Sequence, residues 1–365
     1  MEQVNSQTLR ANEEIEINRI LTAVAEYNAS DLHLSVGNVP TVRVDGELVA
    51  LREERVVTPD FMKKFSLFFL DEKQREILNR EREIIFSYNF QNRIRFKVNL
   101  FYQEGYLSAS LRLIPSTIKT LKELGLPPIV EKFYQIKKGL VIVCGPFASG
   151  RSFTIAALLN EINNRRKEHI LTVEKPIEFV FGDNQSIIEQ REVGRDTNSF
   201  EQALKSAFRG DIDVIMVGEM KSKEVIKGAL DLAEGGRLVY SAMETDSSIK
   251  TIERIVSSFE SEAKNQARVQ LSEVLEGIIV QRLVPRVGGG RILVTEILIP
   301  NPAIRSIIKE GNIYQINNVL QTSRGEGMVS LDRALAELVK TGEIMLESAI
   351  QYAVDENNLK RMTQR

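Results

Sequence analysis

The sequence predicts an α/β chain of two domains: an N-terminal α+β domain over 13–115 and a P-loop α/β domain over 140–300, closed by helices over 301–365. Three observations carry this prediction. Beyond residue 140, strand-like and helix-like segments alternate, the order that builds a mostly parallel sheet. The first of those strands runs into a glycine-bounded loop and then a helix start. Before residue 115, helical segments give way to short extended runs joined by tight turns, the pattern of an antiparallel sheet. Residues 1–12 read as a flexible polar tail, and 116–139 as a linker with one helix.

Taken in order, residues 13–27 carry Ile17, Ile20, Leu21 and Val24 at helical spacing. Residues 28–31 (NASD) end that helix. Leu32, Leu34, Val42, Val44, Leu48 and Val49 follow on short extended runs, with Asp45-Gly46 as a hairpin turn between two of them. Helices are predicted over 59–69 and 71–80, then strands over 84–88, 94–102 and 106–114, the last two joined at Glu104-Gly105. In the second domain, strands are predicted over 140–144, 170–173, 214–217 and 238–241, with a helix over 153–166. The C-terminal helices cover 303–310, 331–341 and 346–355.

Composition excludes several classes. With 365 residues and 43% hydrophobic residues, the chain is long and apolar enough for two cores. Lys+Arg 48 against Asp+Glu 50 is close to balance, which argues against nucleic acid or an anionic membrane as a partner through bulk charge. Cys144 is the single cysteine, so no intrachain disulfide and no cysteine-based zinc site can form, and its place in an apolar run reads as a buried thiol. His33 and His169 are far apart and suggest no metal site. There is no basic start followed by an apolar stretch, and no run nears the ~20 apolar residues that cross a bilayer. The expectation is a cytoplasmic protein without direct membrane insertion.

The chemistry concentrates in LVIVCGPFASGRSFT, residues 140–154. Gly145, Pro146, Phe147, Ala148, Ser149, Gly150, Arg151, Ser152 and Phe153 have the P-loop spacing GxxxxGK[ST], except that Arg151 stands at the lysine. In such a loop the backbone N–H groups and the following helix's positive end hold a phosphate of ATP or ADP without side-chain charge. The lysine reaches the terminal phosphates, and the hydroxyl, here Ser152, holds Mg²⁺. Arginine keeps the charge, but its planar fork replaces a compact ammonium poorly. Two carboxylates at strand ends complete the candidate set. Glu219, after the apolar run 214–217, is placed to hold the Mg²⁺ shell through water or align the attacking water. Glu174, after 170–173, is placed as a base.

In order along the chain, several motifs together resemble the type IV pilus retraction ATPase family (PilT-like, secretion ATPase superfamily). ASDLHL (29–34), VRVDG (42–46), RFKVN (95–99) and LRLIP (111–115) resemble its N-terminal domain. TVEKPIEF (172–179) resembles the acidic box, followed by QREV (190–193), RDT (195–197), GEM (218–220), TIER (251–254) and GGGR (288–291). AIRSII (303–308) resembles the retraction signature, and Gly327-Met328 with Leu331-Asp332 closes the series. The resemblance runs nearly end to end. It implies a PAS-like N-terminal domain, a RecA-like P-loop core, a hexameric ring, and a partner in the inner-membrane pilus platform that brings the protein to the membrane. It also implies that Arg95 and Arg112 reach the nucleotide of a neighbouring subunit. The single cysteine sets the chain apart from pilus assembly ATPases, which carry a four-cysteine zinc motif.

The departures from this family are Arg151 for lysine, Lys175 for the Asp after Glu174, Glu244 for a histidine, Lys97 for an arginine, Ser306 for an Asn and Ile212 for a Pro. Three fall at the nucleotide. Losing the lysine is expected to cost ~3–5 kcal/mol of transition-state stabilisation, a rate lower by roughly 10²–10⁴. Glu244 adds like-charge repulsion toward phosphates, and Lys175 is the one change placed to bring an ammonium back. The leading expectation is a nucleotide-binding ring subunit with weak or lost hydrolysis, acting in a homomeric ring or beside an active paralogue. The alternatives are a fully active motor and a scaffold that binds no nucleotide.

Overall fold

The computed structural model describes the backbone of residues 2–90, 94–115 and 117–364, and their side chains except those of 2–13 and 324. The chain forms two units. The first holds residues up to 117 together with Lys175–Phe179, and the second holds 118–174 and 180 onward.

The first unit contains α1 (Glu2–Glu26), β1 (Asp31–Leu34), β2 (Thr41–Val44), β3 (Glu47–Ala50), α2 (Pro59–Phe69), α3 (Glu72–Glu81), β4 (Glu83–Phe90), β5 (Ile94–Gln103) and β6 (Tyr106–Ile114). Its sheet runs β3-β2-β1-β6-β5-β4, with every pair antiparallel. Thr58 caps α2 and precedes Pro59, and Asp71 with Gln74 forms a capping box on α3, so both helix starts satisfy their own N–H groups. The expected face of α1 is buried: Ile17, Ile20, Leu21 and Val24 are at most 2% exposed. They share a core with Phe65, Phe86 and Phe96. The helix begins at Glu2 and so covers the stretch expected to be a tail. No glycine or proline interrupts 2–12, so nothing in the backbone stops the helix from extending through it. Lys175–Phe179 is held to this unit's sheet. The Ile177 carbonyl accepts from Ser87 Oγ at 2.5 Å and Arg95 Nη2 at 2.7 Å, and Lys97 pairs with Glu178 at 2.7 Å.

The second unit contains α4 (Glu131–Gln135), β7 (Gly139–Cys144), α5 (Arg151–Arg165), β8 (His169–Glu174), β9 (Ile187–Glu192), α6 (Phe200–Ala207), β10 (Val214–Val217), α7 (Lys223–Glu234), β11 (Leu238–Met243), α8 (Ser248–Ser257) and α9 (Lys264–Val274). Then come β12 (Leu275–Pro285), β13 (Arg291–Leu298), α10 (Pro302–Glu310), α11 (Ile316–Thr322), α12 (Leu331–Lys340), α13 (Leu346–Tyr352) and α14 (Glu356–Thr363). The sheet order is β13-β12-β7-β11-β10-β8-β9. All pairs are parallel except β12–β13, a hairpin on the β7 side. β7 is buried along its whole length, as a central parallel strand must be. The region expected to be a linker is packed instead: Leu121, Leu126, Val130 and Phe133 are buried against Val141, Val143 and Tyr240. The Tyr240 hydroxyl donates to the Phe133 carbonyl at 2.7 Å.

Gly277 lies where the β12–β7 pairing shifts register. A Cβ there would stand 2.1 Å from the Phe133 ring. Gly277→Ala is therefore expected to lower stability by about 1–3 kcal/mol through overpacking, measured as a reduced denaturant midpoint.

Candidate functional site

The loop after β7 is shaped by its glycines. Gly145 has φ +150° and a Cβ there would meet the Gln281 carbonyl at 2.3 Å and Ser149 Oγ at 2.4 Å, so only glycine fits. Gly150, with φ +88°, is the N-cap of α5 and turns the chain into the helix. The first N–H groups of α5 have no carbonyl of their own helix to bond, which leaves them for a ligand. Ser149 is 2% exposed and Gln281 1%, and Gln281 Nε2 donates to the Ser149 carbonyl at 3.0 Å. Among the described residues, Ser149 Oγ and Gln281 Oε1 are buried without a hydrogen-bond partner. Ser152 and Phe153 are half-buried, and Phe147 is exposed at the loop's tip. Gln281 was not legible as part of the loop. It lies 132 residues away, and no local pattern marks it.

Arg151 is tied down. Its Nη2 donates to Glu244 Oε1 at 3.0 Å, and its Nη1 is buried with no hydrogen-bond partner among the described residues. The side chains are 15% and 45% exposed, respectively. Strand pairing explains the meeting. β11 runs parallel to β7 with Met243 opposite Cys144, so the next residue, Glu244, stands beside Gly145. The hydrogen bond from Arg151, reinforced by its charge, holds the Glu244 carboxyl below the usual glutamate range against a smaller opposing effect of burial. An open depression of about 450 Å³ adjoins the pair, lined by Pro146, Glu244, Asp246, Lys250 and Arg254 among others.

The two carboxylates lie at the same edge of the sheet. Glu174 ends β8 and is 6% exposed; its Oε1 accepts from Thr172 Oγ1 at 2.7 Å and Gln190 Nε2 at 3.3 Å. Glu219 follows β10 and pairs with Lys221 at 2.8 Å. The Gly218 N–H donates to the Val173 carbonyl at 2.8 Å, which ties the Glu219 turn to β8. In order across the sheet stand the loop, Glu244, Glu219 and Glu174. Neighbouring parallel strands are ~4.8 Å apart, so Glu244 is the carboxylate nearest the loop. Lys175 is exposed and belongs to the first unit, where it makes no ion pair among the described residues. Arg112 pairs with Asp31 at 2.9 Å, and Arg95 donates to Asn89 Oδ1 at 2.6 Å besides the Ile177 carbonyl, all within the first unit. Burial pushes the Cys144 thiol up to about 11, so it is an inert core group beneath the loop. His169 starts β8, at the opposite end from the loop, and no cluster of three or more His, Cys, Asp or Glu suited to a metal occurs among the described residues.

Ala148 holds a left-handed conformation, φ +61°, within the loop. Its Cβ makes that backbone costly by about 1–2 kcal/mol. Part of the gain on removing it is lost to the greater freedom of glycine when unfolded. Ala148→Gly is expected to raise stability by up to about 1 kcal/mol, read as a higher denaturant midpoint at unchanged slope.

Residues 7–351 match the model of a family described as type II/IV secretion system protein. The chain is 41% identical over 343 residues to the type IV pilus retraction ATPase PilT of Pseudomonas aeruginosa, spanning 93% of this chain and 98% of that protein. It is 34% identical over 349 residues to the type IV pilus ATPase PilU of the same organism, spanning 95% and 91%. A crystal structure of the pilus retraction motor PilT with bound ADP superposes with a TM-score of 0.85 at 42% identity, covering 94% of this chain and 99% of that one. A glycine-cradled loop, carboxylates along one sheet edge and likeness over nearly the whole length agree: the chain belongs to the type II/IV secretion system protein family, among its PilT-like retraction ATPases.

Proposed function

We propose that this chain is a nucleotide-binding ring subunit of a type IV pilus retraction machine whose hydrolytic step is weakened. One observation carries the reading: the glycine-shaped turn of the phosphate cradle is kept, while the side chain at its lysine position is an arginine bonded to Glu244. The residues present fit the phosphates of ATP or ADP. The loop has no room for a Cβ at Gly145, and buried donors at Ser149 and Arg151 stand without partners among the described residues.

Bound Mg-ATP would supply the phosphoryl group to be transferred, with the metal offsetting its charge. The chain's own residues do the rest. Backbone N–H groups at the end of the loop and the start of α5 hold phosphate oxygens, since those of Gly145 and Ser149 are already bonded to the Met243 and Pro146 carbonyls and Pro146 has none. The Ser152 hydroxyl and the Glu219 carboxylate would hold Mg²⁺, which would supply charge neutralisation of the phosphates. Glu174, oriented by Thr172 and Gln190, accepts the proton of the attacking water. Arg95 and Arg112 belong to the N-terminal unit and serve the nucleotide of an adjacent subunit in the ring. The ring is a hexamer, of this chain alone or with an active paralogue, and it works in the cytoplasm against an inner-membrane platform protein. Among the described residues no helix is long and apolar enough to cross a membrane.

The weakness has a physical source. The transferring group loses a compact ammonium, and the arginine in its place is committed to a carboxylate. Phosphate release from the purified protein is expected to be far below the ~1 s⁻¹ of a working enzyme. Arg151→Lys alone is expected not to restore it, because Glu244 remains to capture the new charge. Turnover at ~1 s⁻¹ or more in the unaltered protein would contradict the proposal, and absence of saturable Mg-ATP binding would indicate a scaffold.

A further inference from the structure

Glu244 does more than sit near the loop. Its carboxylate bonds the side chain that, in a phosphate loop, reaches toward the terminal phosphates of a triphosphate. Arg151 gives one terminal nitrogen to Glu244 and keeps the other buried without a hydrogen-bond partner among the described residues. The guanidinium is therefore committed to an internal anion through one nitrogen and has a donor left unspent on the other. The position of Glu244 is not adjustable by slippage, because it follows directly on the β7–β11 ladder, whose strands are buried along nearly all of their length.

We infer that Glu244 is a built-in competitor for the phosphate loop, which weakens triphosphate binding and shifts the site's preference toward nucleoside diphosphate. The inference rests on the reading that this loop takes nucleotide. The shift follows from where the charges fall. A diphosphate is held chiefly by backbone N–H groups of the loop and the helix start. A triphosphate brings further negative charge toward the Arg151 side chain, where it meets the Glu244 carboxylate. The terminal group must then share the guanidinium or displace Glu244 from it. The alternative role for the pair is support: Glu244 would hold Arg151 in the pose that receives phosphate. The two roles predict opposite signs when the carboxylate is neutralised.

The test is a titration of the full chain and of Glu244→Gln with Mg-ATP and with Mg-ADP. Glutamine keeps the size and a hydrogen-bond acceptor for Arg151 and removes the charge. The side chain is 45% exposed, so the fold does not depend on it. Competition predicts that Mg-ATP binds about fivefold more tightly to the variant, with a smaller gain for Mg-ADP. Unchanged or weaker Mg-ATP binding, with the unaltered protein binding normally, overturns the competition and leaves the nucleotide-binding reading standing. Equal gains for both nucleotides overturn the preference for diphosphate. Saturable binding in the variant but not in the unaltered protein supports the competition and defeats the claim that the natural chain binds nucleotide. No binding in either defeats both.

Discussion

Parallel pairing of β7 with β11, from Gly139 opposite Leu238 to Cys144 opposite Met243, decides what stands beside the phosphate loop. Both strands are buried on both faces, so a slip of one residue would send every side chain to the opposite face and force both packed layers to rearrange. Burial therefore fixes the ladder, and the ladder fixes its ends. The Gly145 N–H still bonds the Met243 carbonyl, at 3.3 Å. One residue later the two chains part, one into the loop and the other into Glu244. The backbone position that lets Glu244 meet Arg151 is thus a consequence of core packing.

Much of the fold was legible because its signals are local. The apolar spacing of Ile17, Ile20, Leu21 and Val24 marks the buried face of α1, and the glycine spacing of 145–150 marks the loop. The helices expected over 59–69 and 71–80 form over Pro59–Phe69 and Glu72–Glu81. What sequence could not show depends on distant segments. Gln281 reaches the Ser149 carbonyl from β12, and only the order of strands in the sheet brings it there. Lys175–Phe179 belongs to the acidic box after β8, and nothing local in it signals that Ser87, Arg95 and Lys97 hold it to the first unit's sheet. Polar residues 2–12 carry no apolar stripe, so they read as a tail although the helix runs through them.

The altered residues show the same limit. Arg151 and Glu244 are each visible as departures, and charge alone predicts that Glu244 opposes phosphate. That the two departures satisfy one another needed the strand register. Lys175, the change after Glu174, is exposed and makes no ion pair among the described residues, whereas Arg151 is bonded to Glu244. Changes elsewhere are absorbed where they occur. Lys97 bonds Glu178, Ser306 Oγ donates to Glu310 at 2.7 Å, and Ile212 packs against the core of the second unit. The scaffold accommodates these three substitutions locally.

A loop that keeps its cradle while its cation is held by an internal carboxylate makes one quantitative claim: the effect of Glu244 on nucleotide passes through Arg151. A double-mutant cycle on Mg-ATP affinity, with Glu244→Gln, Arg151→Met and the two combined, measures it directly. The expected coupling is on the order of 1 kcal/mol, with neutralising Glu244 tightening binding more where Arg151 is present than where it is absent. Equal effects of Glu244→Gln with and without Arg151 would contradict it.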